Sequence, residues 1–206
     1  MHKLEIPRKT VYRLSIYQRC LQRLKENHVD TVSSEALAKA AGVKPTQLRK
    51  DITYFGQFGT RGLGYNVDGL SGAINEVLGR SHLQPVILIG VGNLGAALLR
   101  YGGFQKEGFE IVAAFDIKPD PGRMKGLKTP LLDAAKLSSF IREQQIKMAI
   151  LTVPAAHAQE VVNRMIESGI QAILNFSPVV LEVSKNVVVN NVDLAVELEN
   201  LSYFIR

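Results

Sequence analysis

The run Gln84-Pro85-Val86-Ile87-Leu88-Ile89-Gly90-Val91-Gly92-Asn93-Leu94-Gly95 joins an apolar stretch to glycines spaced G-x-G-x-x-G, and Asp116 stands 21 positions past the last glycine. That pattern is suited to holding a dinucleotide. Gly90 permits a tight turn, Gly92 lets backbone approach a pyrophosphate, and Gly95 lets a helix pack close to the preceding strand. The start of that helix offers unpaired N–H groups and a positive dipole end to the phosphates. Asp116 closes the apolar run Ile111-Val112-Ala113-Ala114-Phe115. There a carboxylate can accept hydrogen bonds from an adenosine ribose, and its charge would repel a 2′-phosphate, which favours NAD over NADP.

A second group of residues has the chemistry of reading a duplex. Lys44, Thr46, Gln47, Arg49 and Lys50 cluster around a segment that opens with Pro45, a residue suited to the first position of a helix. Leu48, Ile52 and Phe55 recur at helical spacing and leave Gln47, Arg49, Lys50 and Thr53 for the outside. Arginine and lysine can contact guanine edges or phosphates, and glutamine can pair bidentately with adenine. Asp51, being anionic, is expected to pair within its own domain. Upstream, Ser33 or Ser34 can cap a short helix ending near Ala41, and Gly42-Val43-Lys44 makes a tight turn. Two short helices joined by such a turn predict a helix-turn-helix. Phe58 to Val67 alternates glycine with apolar and aromatic residues, which predicts a hairpin with Arg61 near its tip and Tyr65 on its return strand. A hairpin there would be the wing of a winged helix.

The charge supports the same division. Residues 1–84 hold 13 of the 25 basic and 7 of the 19 acidic side chains, so they carry the whole net charge of +6. Residues 85–206 balance at 12 and 12. An excess confined to the first segment suggests a polyanionic partner. One cysteine, Cys20, cannot form an internal disulfide, and the start has no signal-peptide pattern, so a cytoplasmic home is expected. No apolar stretch is long enough to span a bilayer, so no membrane partner is expected.

Helical stripes are predicted over Pro7–Glu26 and from Val67 to Leu78, with a domain boundary near residue 82. Beyond it strands are predicted at 86–90, 110–115, 148–153, 171–175 and 187–190, with helices at 93–101, 133–145 and 155–168. Alternation of this kind implies an α/β domain with a doubly wound parallel sheet. From Asp193 onward, Leu194, Leu198, Leu201 and Ile205 form a stripe with no further domain to cover, which leaves packing on its own domain or, the favoured reading, on a partner subunit. The sheet uses nearly everything from 85 to 190, leaving no substrate domain. His157 is read as first-turn helix surface or a ligand-lining residue, and no metal-binding cluster is present. The residues alone leave open an NAD(P)-dependent oxidoreductase with an appended helical domain, and a CoA-binding module or protein–protein adaptor, beside a nucleotide-sensing DNA-binding protein.

The chain resembles the bacterial Rex family of redox-sensing repressors over essentially its whole length. The resemblance rests on Arg49-Lys50-Asp51 with Tyr54-Phe55-Gly56, and on Phe58-Gly59 through Gly64-Tyr65-Asn66-Val67. It continues in the glycine turn, Val153-Pro154-Ala155, Asn175-Phe176-Ser177-Pro178 and Asn191-Val192-Asp193-Leu194. It implies a winged helix-turn-helix over 1–82, a Rossmann domain over 83–190, and a terminal helix over 191–206 exchanged in a homodimer. It implies no enzymatic activity: the homodimer binds an inverted-repeat operator when NADH is low and is released by NADH, with NAD competing, so that genes for fermentative and respiratory NADH oxidation are derepressed. Lys44, Thr46, Gln47, Arg49, Lys50, Arg61 and Tyr65 would then face DNA. Gly90, Val91, Gly92, Asn93, Leu94, Gly95, Asp116, Val153, Pro154, Phe176, Ser177 and Leu194 would face the nucleotide. Arg13, Tyr101 and Asp193 would couple the two.

Overall fold

Nineteen residues with Leu14, Tyr17 and Leu21 on one face make the first helix, α1 (Arg8–Glu26), and all three side chains are fully buried. The computed structural model describes residues 6–60, 63–80 and 82–205. It divides into two compact units between His82 and Leu83. In the first unit α1 is followed by a two-residue strand, β1 (Thr31–Val32), and a short helix, α2 (Ser34–Ala40). Ser33 caps α2, its hydroxyl accepting from the Ala36 N–H at 3.1 Å. Gly42, at φ +67°, makes the turn into α3 (Pro45–Ile52), where Leu48 and Ile52 face the core. Strands β2 (Gly59–Thr60) and β3 (Gly64–Asn66) form the expected hairpin, and α4 (Val67–Val77) follows under an Asn66 cap.

The three strands make an antiparallel sheet in the order β1-β3-β2. Strand β1 has no counterpart in the predicted elements, because two residues carry no periodicity. Its presence changes the reading of the wing. Pairing of Val32 with Tyr65 places β3 in the middle of the sheet, and the Tyr65 ring lies in the core, 7% exposed. The expectation that Tyr65 faces DNA is therefore corrected. Alternation puts Tyr65 opposite its neighbours, but only the third strand shows which face is covered. Arg61, expected at the hairpin tip, lies outside the described residues.

The second unit is built on six parallel strands: β4 (Gln84–Ile89), β5 (Phe109–Asp116), β6 (Leu131–Asp133), β7 (Met148–Leu151), β8 (Ala172–Asn175) and β9 (Val188–Asn191). Their spatial order is β6-β5-β4-β7-β8-β9. The chain thus winds outward one way from β4 and then the other way from β7, as in doubly wound nucleotide-binding domains. The connecting helices are α5 (Asn93–Leu99), α6 (Gly103–Lys106), α7 (Leu137–Glu143) and α8 (Ala155–Ser168). Gly169, at φ +120°, ends α8. Strand β6 and the one-turn α6 add to the expected set. The predicted helix over 133–145 is shorter because Asp133 ends β6 and a 3₁₀ turn over Ala134–Lys136 precedes α7.

The last helix, α9 (Leu194–Tyr203), begins at Asp193, whose carboxylate accepts from the N–H groups of Ala195 and Val196. No residue of α9 is buried, and Leu194, Leu198 and Leu201 are 61%, 66% and 64% exposed. Among the described residues no helix is long and apolar enough to cross a membrane.

Candidate nucleotide site and nucleic-acid interface

The carboxyl ends of β4, β5, β7 and β8, which share one sheet in the order β5-β4-β7-β8, carry Gly90, Asp116, Thr152-Val153 and Phe176-Ser177. This is the place where open α/β sheets take ligands. Gly90 holds φ +95°, and its N–H donates to the Phe115 carbonyl at 2.8 Å. A methyl group there would sit 2.8 Å from the Thr152 carbonyl oxygen. At Gly95 a Cβ would run into the Gly90 carbonyl oxygen and lie 3.0 Å from Thr152 Oγ1. Thr152 itself pins the turn, its hydroxyl donating to the Gly90 carbonyl at 2.6 Å. The glycines are thus needed for close approach as well as for conformation. Gly92 caps α5 without any side-chain hydrogen bond, leaving the first-turn N–H groups to backbone and ligand. Asn93 and Leu94 are exposed in that first turn, and Val91 is buried beneath it.

Asp116 reaches back to the turn. Its Oδ2 accepts from the Val91 N–H at 2.7 Å, and Oδ1 accepts from the Lys118 N–H at 2.8 Å. Each oxygen keeps a lone pair for a ribose hydroxyl, so the residue braces the loop and still offers an acceptor. Arg123 was not singled out by the sequence; its Nη1 donates to Asn93 Oδ1 at 3.2 Å and places a cation beside the turn. It sits in a 3₁₀ turn over Pro121–Met124, too short to leave a periodic signal.

Ser177 is only 5% exposed, and its hydroxyl donates to the Val153 carbonyl at 2.7 Å. Its N–H donates to Asn175 Oδ1 at 2.9 Å. Ser177 therefore holds the Val153-Pro154 loop in place while its hydroxyl oxygen can still accept a hydrogen bond. Pro154 is exposed at the start of α8, and Phe176 is half-buried against the sheet. Tyr101 is 60% exposed, edge-on to Phe104 at 5.1 Å between ring centres.

On the first unit, Lys44, Thr46, Arg49 and Lys50 are exposed at and along α3. Arg49 is held by α2: Nη1 donates to Ser34 Oγ at 2.8 Å and lies 3.3 Å from Glu35 Oε1. Together with Thr53, Phe58 and Leu63 it borders an open groove of about 620 Å³ between the helices and the hairpin. Gln47 differs from its expected freedom. It is half-buried, and Nε2 donates to Asp51 Oδ1 at 2.9 Å.

Asp51 is fully buried and is the centre of this unit's polar network. Arg13 grips it with Nε to Oδ2 at 2.6 Å and Nη2 to Oδ1 at 2.7 Å. Tyr17 OH donates to Oδ2 at 2.8 Å, and Thr10 Oγ1 to Oδ1 at 3.2 Å. Burial pushes the Asp51 carboxyl up, but hydrogen bonds from Arg13, Tyr17 and Gln47 outweigh it and hold it below the ordinary aspartate value. The same pairing raises Arg13, and burial followed by the Asp51 bond raises Tyr17. The sequence indicated that Asp51 would pair internally; its partners, as far as 41 positions away in the chain, could not be read from spacing.

Residues 82–179 match the family described as CoA binding domain, and residues 5–53 match the family described as putative DNA-binding protein N-terminus. A redox-sensing transcriptional repressor Rex of Syntrophobacter fumaroxidans is 44% identical over 97% of this chain and 95% of its own length. The Rex of Streptomyces coelicolor is 43% identical over 96% of this chain and 77% of its own length. Among solved structures, RSP in complex with β-NAD+ and operator DNA is 36% identical, with a TM-score of 0.88, over 97% of this chain and 92% of that one. RSP in complex with β-NADH is 34% identical, with a TM-score of 0.85, over 98% and 94%. Near-complete coverage at such identity, with a glycine turn and a helix-turn-helix in the same chain, establishes that this chain belongs to the Rex family of redox-sensing transcriptional repressors.

Proposed function

We infer that the chain is a transcriptional repressor that reads the balance of NADH and NAD. Residues 1–82 bind operator DNA, residues 83–190 bind the nucleotide, and residues 191–206 join two copies into a homodimer that works in the bacterial cytoplasm. The observation that carries this reading is one chain holding both sites: a glycine turn braced at the crossover of a parallel sheet, and a helix presenting Lys44, Thr46, Arg49 and Lys50. The related RSP in complexes with β-NAD+ plus operator DNA and with β-NADH supports the two ligands. Phosphate contacts by the basic side chains supply affinity, and base-edge contacts supply sequence preference.

Oxidised nicotinamide is a cation and reduced nicotinamide is neutral. Apolar surroundings such as Phe176 and the exposed Leu194 would disfavour burying the unpaired cation. A ligand shifts the DNA-competent population only by the difference in its affinities for the two states. Arg13, Tyr101 and Asp193 are the groups that exchange partners between those states. The test is fluorescence anisotropy on an inverted-repeat operator recovered by selection, titrated with NADH, NAD and CoA at fixed salt. Release by micromolar NADH, with NAD much weaker or opposing and CoA inert, is expected. Release by CoA instead would replace this reading with a CoA-responsive regulator.

A further inference from the structure

The buried carboxylate of Asp51 has more to do than hold two helices together. It accepts five hydrogen bonds from Thr10, Arg13, Tyr17 and Gln47, and the last of these comes from a half-buried side chain of the same helix, one turn earlier. A carboxamide can present itself in two ways that differ by a flip, and the flip exchanges donor for acceptor. At Gln47 the flip is forbidden, because it would turn Oε1 onto a carboxylate that is charged and closed in by Arg13. We propose that Asp51 is a positioning residue for base reading, locking the Gln47 amide so that one fixed donor–acceptor pair faces the DNA.

The geometry of the amide makes this lock compatible with reading. Nε2 carries two protons, one on the side of the carbonyl oxygen and one pointing away from it. A bidentate contact with adenine uses Oε1 and the first proton, which pair with the N6 amino group and N7. The second proton is not needed by the base and is the one a carboxylate behind the side chain can take. Asp51 thereby removes the rotamer and flip freedom that an exposed glutamine would surrender on binding, and it fixes which edge is complementary. Arg13 and Tyr17 contribute indirectly, by keeping Asp51 ionised and immobile.

This inference rests on the reading of the first unit as a DNA-binding domain. Its test is the base-preference profile of the full chain, obtained by selection from random duplexes and followed by competition at single positions. The unsubstituted chain is expected to prefer an A·T pair at one position in each half-site. Gln47→Met should flatten that position by about 5- to 150-fold, the range for one bidentate base contact, with other positions unchanged. Asp51→Asn, whose amide no longer forbids the flip, should flatten the same position, and the double variant should be no flatter than either single one. Lys50→Ala should weaken all sequences alike and leave the profile intact. A folded Asp51→Asn chain with the original profile, or a Gln47→Met chain with the original profile, would overturn the inference while leaving the repressor reading standing. Should Asp51→Asn not fold, the side-chain amide of Gln47 in the unsubstituted chain carries the test by NMR. One protected and one freely exchanging Nε2 proton support the lock; two equivalent, rapidly exchanging protons overturn it. A chain that selects no duplex overturns the repressor reading and this inference together.

Discussion

At the scale of single residues, the contrast between Asp51 and Asp116 is instructive. Both carboxylates were conspicuous in the sequence, one for an expected internal pairing and one for its distance from the glycines. Asp116 stands at the register the spacing implied, because Ile89 and Phe115 are paired and the two strands end together. Its bonds to Val91 and Lys118 were not legible, since backbone donors leave no mark on residue type. Asp51 has consequences for stability. Its folded-state pKa is depressed, so its contribution is fully present above the ordinary value of 3.8 and is lost as pH falls below it. Chemical denaturation of residues 1–82 is therefore expected to show stability falling from about pH 4 downward, and Asp51→Asn should remove that dependence. For Tyr17 the folded-state pKa is raised, so its contribution holds below pH 10.0 and is lost as pH rises further. Tyr17→Phe should flatten the alkaline limb of the same denaturation series.

At the scale of elements, what could be read was whatever repeats. Helix α1 declared itself through Leu14, Tyr17 and Leu21, and the central strands through unbroken apolar runs. What could not be read was whatever is short or two-sided. Strands β1 and β6 have two and three residues, too few for a period. Tyr65 was misplaced because alternation along β3 does not say which face is covered. The glycine turn allows a sharp expectation. Gly95→Ala would force its methyl group onto the Gly90 carbonyl, so the helix start must move away from the strand. NADH binding, followed by quenching or calorimetry, should fall by at least tenfold, while binding of DNA in the absence of nucleotide is retained. On α3, Lys50→Ala should lower the slope of log affinity against log salt by about 1. An unchanged slope would remove Lys50 from the set of phosphate contacts.

At the scale of the whole molecule, the charge asymmetry and the uncovered terminal helix matter most. The net charge of +6 lies entirely in residues 1–84, the segment proposed to meet DNA. No residue of helix α9 is buried, and a ten-residue helix is marginal alone in water. Replacing Leu198 and Leu201 together by glutamate is expected to give monomers in light scattering, with NADH binding and operator binding both weakened. A dimer that survives this double change would locate the interface elsewhere. With α9 as the proposed seam between two copies that can come apart, abundance would also be an input to the switch. A repressor that must pair before it can act occupies its operator, at low copy number, as the square of its own concentration. Halving the number of chains would then cost about fourfold in occupancy, whatever the redox state, so a cell that dilutes this protein by growth relaxes repression before NADH has changed at all.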